Sequence, residues 1–195
     1  MNDQMDSEDD PFVEPSDRSR YELMRAKHLM VPLSAARKAR WCGYLLFVAA
    51  LAAPIVFTLP EPIVEAQFTG DPIRTPLGAA AVASFGVLCL ALAGIGLGLL
   101  ARMKTGDPPE SRVWTLIGLE DALTGIGFIT GFLGVVTGVG ILAIGHTGVE
   151  RTAWFADIGV DPYLTFGSVP VTPLATSALA LVAAVVVVGL SLSAE

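Results

Sequence analysis

The chain has 195 residues, 53% hydrophobic but only 8% aromatic, with a formal net charge of -7 and a pI near 4.8. That acidic balance excludes a generally basic surface of the kind that binds nucleic acid. The apolar residues fall into four long charge-free runs, which a water-soluble domain of this length does not normally contain.

Residues 1–17 open with Asp3, Asp6, Glu8, Asp9 and Asp10 and carry few apolar side chains. They cannot bury enough surface to offset chain entropy, so they read as a disordered acidic tail. A cleavable signal peptide needs a basic start and an early apolar core, and neither is present. Residues 18–40 change character: Arg18, Arg20, Arg25, Lys27, Arg37, Lys38 and Arg40 alternate with Tyr21, Leu23, Met24, Leu29, Met30 and Val31. This pattern predicts a basic amphipathic juxtamembrane segment, an interfacial helix interrupted at Pro32 and restarted at Ser34.

The four runs follow at about 41–59, 77–101, 122–145 and 174–192. Each is close to the ~20 residues that a helix needs to cross a ~30 Å hydrocarbon core. The expected fold is therefore an all-α integral membrane protein, with four transmembrane helices in an antiparallel bundle spanning 41–195. Pro54 should bend the first. The second and fourth begin with the same device, Thr75-Pro76-Leu77 and Thr172-Pro173-Leu174, which predicts a capping Thr before each helix and hints at a repeated two-helix hairpin.

The third run has the most regular pattern, with Gly127, Gly131, Gly134, Gly138 and Gly145 along one helix face. Gly94 and Gly98 form a shorter version on the second. Small residues let backbones approach in lipid, so these glycines are candidate helix-packing positions, either between spans two and three or against another subunit. Between the third and fourth runs, Trp154, Phe155, Tyr163 and Phe166 suggest a loop resting on the membrane surface.

Lys and Arg set the sidedness. The N-terminal flank has seven and the 102–112 connection three, against Arg74 and Arg151 in the other two connections. Both termini should be cytoplasmic and the protein should sit in the cell (plasma) membrane. Three lysines against nine arginines, with abundant Asp, Ala and Val, resemble the usage of a halophilic organism.

The spans hold no ionisable residue. Glu120, at the edge of the third and on its glycine face, is the one candidate ion or proton site. No catalytic, cofactor-binding or metal-ligating set is legible: Cys42 and Cys89 lie at different depths, His28 and His146 on opposite sides, and no nucleophile motif or phosphate loop occurs. The expected partners are the lipid bilayer and either another membrane protein or further copies of this chain. The expected role is a structural or accessory subunit of a membrane complex, the alternative a small oligomeric transporter or channel. No named family is recognised in these residues.

Overall fold

A computed structural model describes residues 33–102, 110–165 and 170–193. The acidic tail and the basic segment before Leu33 lie outside the described residues, as does Phe166. The described residues are mostly helical, with no strand among them. Four of its helical stretches are long and apolar enough to cross a membrane: Ala35–Phe57, Gly78–Arg102, Arg112–Thr147 and Pro173–Leu192. They are called spans one to four below.

Span one consists of α1 (Ala35–Ala49) and α2 (Ala52–Phe57). The Ser34 hydroxyl accepts from the Arg37 N–H at 3.2 Å and so caps the start. The helix thus begins at Ala35, six residues before the expected Trp41, and it takes Arg37, Lys38 and Arg40 into its first two turns. Pro54 has no N–H for the carbonyl one turn earlier, at Ala50, and regular helix lapses at Ala50 and Leu51. Just beyond this break, the Ala53 N–H donates to the Ser177 hydroxyl of span four at 2.8 Å.

After α3 (Glu61–Gln67) and a short 3-10 turn (Pro72–Arg74), span two is the single helix α4 (Gly78–Arg102). Its start differs from the expected Thr-Pro cap. The Thr75 hydroxyl donates to the Asp71 carbonyl at 3.0 Å, and the Leu77 and Gly78 N–H groups donate to the Val171 and Leu164 carbonyls at 3.1 and 2.8 Å. Span four, α8 (Pro173–Leu192), follows the expected form, because the Thr172 hydroxyl accepts from the Ala175 N–H at 3.2 Å. The two Thr-Pro sequences therefore do different work.

Span three joins α5 (Glu110–Ala122) to α6 (Thr130–Ala143) through a π-helical segment, Leu123–Ile129. As a candidate crossing it runs from Arg112 to Thr147, ten residues upstream of the expected Ala122. Val113, Ile117 and Glu120 are buried along one face of that extension. Glu120, expected at the edge of the span, is paired, and the helix extends past it to Arg112.

Alanines, cysteine and branched apolar side chains from all four spans form the main core, including Ala39, Cys42, Val87, Leu90, Val135 and Val187. A second cluster closes the end near Leu59, Leu77 and Leu142. Tyr163 belongs to it. Only 4% exposed, it packs on Phe68 with ring centroids 5.1 Å apart, so this ring turns inward instead of lying on the surface. Its hydroxyl donates to the Leu142 carbonyl at 3.2 Å and accepts from the Gly145 N–H at 3.1 Å. Burial pushes the phenol pKa up to about 12, against a smaller lowering by that Gly145 bond. Trp154 stays exposed, with its edge against Phe155 on α7 (Val149–Asp157).

Candidate functional site

Two features of the described residues go beyond ordinary apolar packing: a backbone contact between spans two and three, and a buried ion pair between spans one and three.

The contact explains most of the glycine pattern. A methyl group built on Gly138 would lie 2.5 Å from the Ala83 nitrogen and 2.7 Å from the Ala79 oxygen. One on Gly134 would meet the Gly86 Cα at 2.9 Å, one on Gly131 the Leu90 Cγ at 2.6 Å, and one on Gly127 the Ala93 Cβ at 2.7 Å. These pairs descend along span two as they climb span three. Gly86 answers from the opposite side, where a methyl would lie 2.6 Å from the Val135 nitrogen. Backbones this close gain dispersion contact that no larger side chain permits. Gly94 and Gly98 lie elsewhere: Gly94 faces Val187 and Cys42, and Gly98 faces Leu190. They admit spans four and one to span two.

The ion pair joins Lys38 to Glu120. Lys38 Nζ is 3.1 Å from Glu120 Oε1 and 3.3 Å from Thr124 Oγ1. The Thr124 hydroxyl donates in turn to the Glu120 carbonyl at 2.7 Å. Lys38 is 3% exposed and Glu120 fully buried. An isolated charge there would be strongly disfavoured, so the contact stabilises both groups. The sequence places Lys38 in the basic amphipathic juxtamembrane segment, 18–40. Its spacing carries the missing signal, since it stands four residues before buried Cys42 and one before buried Ala39. Glu120 lies on the inward face one turn before Thr124, but inside the span and not at its edge.

The π-helical segment, Leu123–Ile129, contains Thr124 of this cluster. π-helical turns widen a helix locally and recur at functional sites. Here the widened turn sets Leu123 against Gly96, where a methyl would lie 2.7 Å from Leu123 Cδ1. On its other side is an apolar-walled slot of about 90 Å³ between spans one and three, lined by Leu33, Lys38, Trp41, Thr124, Phe128 and Ile129.

A smaller polar group ties the helices together toward their other ends. The Ser84 and Thr176 hydroxyls are 2.8 Å apart, and the Thr176 hydroxyl also lies 3.3 Å from the Ala80 carbonyl and 3.1 Å from the Thr172 carbonyl. The His146 Nε2–H donates to the Ile55 carbonyl at 3.0 Å. Thr137 is exposed and Thr130 half-buried, whereas Thr124 is buried.

Chemically, the Lys38, Glu120 and Thr124 cluster is a neutralised, hydrogen-bonded unit. Cys42 is buried and Cys89 half-buried, both as free thiols. Among the described residues no three His, Cys, Asp or Glu side chains come together to hold a metal ion. Comparisons with protein families, with curated proteins and with solved structures yield no match to this chain.

Proposed function

We propose that the chain is a multi-pass protein of the plasma membrane, an antiparallel four-helix bundle with both termini cytoplasmic, and that it acts as a structural or accessory subunit of a membrane complex instead of an enzyme. The observation that carries this reading is where the small residues are used. Gly127, Gly131, Gly134 and Gly138 are consumed in sealing spans two and three, which leaves backbone packing and paired charges in the interior. A second set, Gly118, Gly125, Gly140 and Gly189, has open space where a side chain would be. These lie beside large exposed apolar groups such as Ile126, Leu133, Val182 and Val185, a surface suited to lipid or to another membrane helix. The count of basic residues supports the sidedness, and the net charge supports a role without nucleic acid.

Purification of the tagged full-length protein from its own membranes in mild detergent at high salt, with the mass and subunit composition of what elutes, tests the role. A second protein in fixed stoichiometry is expected. A lone chain, or copies of this chain only, would contradict it.

The Lys38, Glu120 and Thr124 cluster beside a π-helical turn favours a second reading, a small oligomeric transporter or channel that uses Glu120 as an ion or proton site. Glu120→Gln protein in sealed vesicles tests it. Unchanged proton-linked uptake would remove this reading.

A further inference from the structure

We propose that the slot between spans one and three seats a short stretch of one hydrocarbon chain of an anionic phospholipid, with Arg37 meeting the phosphate. The walls dictate the hydrocarbon. Leu33, Trp41, Phe128 and Ile129 supply apolar surface, and the two polar residues of the lining turn their heads away. Lys38 Nζ is directed to Glu120 Oε1 at 3.1 Å, and Thr124 Oγ1 to the Glu120 carbonyl at 2.7 Å, so that only their carbon atoms face the slot. Nothing there would satisfy a polar ligand, which would lose its hydration without compensation.

A charge on the same helix face as Trp41 dictates the head group. Arg37 is exposed and stands four residues before Trp41, on the same face of α1 and one turn nearer the helix start. Trp41 is 50% exposed, with its edge against Tyr44 at 5.9 Å between centroids. A cation one turn outside an amphipathic ring is the order in which phosphate and upper acyl chain follow each other in a phospholipid leaflet. Asp121 is exposed on span three and opposes an anion, so the phosphate belongs on the span-one side.

The slot reports on itself through Trp41. Protein carrying Trp114→Phe and Trp154→Phe retains Trp41 as its only indole. It is reconstituted in phosphatidylcholine vesicles containing graded amounts of brominated phosphatidylglycerol or brominated phosphatidylcholine. Half-maximal quenching is expected at about a five-fold lower mole fraction of the anionic lipid, the factor that one basic residue near a membrane surface contributes. Arg37→Gln should abolish that preference, and Asp121→Asn should increase it. Equal quenching by the two lipids, or a preference unchanged by Arg37→Gln, would overturn the proposal. So would quenching by neither lipid, which would mean that a second copy or another protein fills the slot. Retention of phosphatidylglycerol over phosphatidylcholine by the detergent-extracted protein, measured by native mass spectrometry, reads the same site without a Trp substitution and must agree.

Discussion

Gly138→Ala isolates the backbone contact from every other interaction in the bundle. The added methyl would lie 2.5 Å from the Ala83 nitrogen and 2.7 Å from the Ala79 oxygen. Both are backbone atoms of a helix, so no side chain can swing aside. Ordinary contact begins near 3.4 Å. Spans two and three must therefore part by roughly 1 Å locally, and the neighbouring contacts at Gly134 and Gly131 loosen with them. Overpacking of this kind costs about 1–3 kcal/mol, against which the better helix propensity of Ala offsets up to about 1 kcal/mol. Gly140→Ala is the internal control, two residues away on the same helix and with no atom within 4 Å of the new methyl. It should be neutral or slightly stabilising. The assay is reversible unfolding in mixed micelles as the fraction of denaturing detergent rises, followed by far-UV circular dichroism. Gly138→Ala is expected to unfold earlier and Gly140→Ala at or beyond the wild-type midpoint. Equal midpoints for the two variants would refute the claim that the glycine face carries the contact between spans two and three.

Other expectations follow from single interactions. Lys38→Met takes the ammonium away from Glu120 Oε1 and should destabilise the protein more than Lys38→Met combined with Glu120→Leu does; the same unfolding assay, run as a double-mutant cycle, measures the coupling. Tyr163→Phe removes a donor to the Leu142 carbonyl and the acceptor of the Gly145 N–H, a loss of about 1–2 kcal/mol by thermal unfolding in detergent. The raised Tyr163 pKa means that the folded state favours the neutral phenol. Its contribution is complete below pH 10 and is lost as the pH rises through about 12. Tyr163→Phe should flatten this alkaline fall in stability, and an identical fall in the variant would assign it to another group. Ser177→Ala removes the acceptor for the Ala53 N–H beside the break before Pro54, with an expected loss near 1 kcal/mol.

The four apolar helices were legible because length and the absence of charge suffice to identify them. Their ends were harder to place, for one physical reason. A Lys or an Asp/Glu near an apolar run is normally solvated and marks its limit, but Lys38 and Glu120 neutralise each other across 82 positions of sequence, so both helices continue past the charges. No window on either helix contains the partner. The glycine face of span three could be read from its spacing, with span two or another subunit as its expected partner. The choice between them needed the aligned helices, where Gly86, Ala83 and Ala79 of span two meet Gly134 and Gly138. Thr75-Pro76 and Thr172-Pro173 are alike in sequence, yet Asp71 takes the Thr75 hydroxyl and loop carbonyls take the first N–H groups of span two. Tyr163 looked like a surface ring because its buried partners, Leu142, Gly145 and Phe68, come from other segments.

The proposed function requires four crossings with both termini on the inner side, and labelling of single cysteines from each side of the membrane tests that most directly. In a background of Cys42→Ala and Cys89→Ala, thiols are placed one at a time at Ser7, Gly70, Gly106 and Ala153 and treated with a membrane-impermeant maleimide, in intact cells and in inverted vesicles. Gly70→Cys and Ala153→Cys should react only in intact cells, and Ser7→Cys and Gly106→Cys only in inverted vesicles. Reaction of Gly70→Cys and Gly106→Cys from the same side would contradict the account, because span two would then not cross.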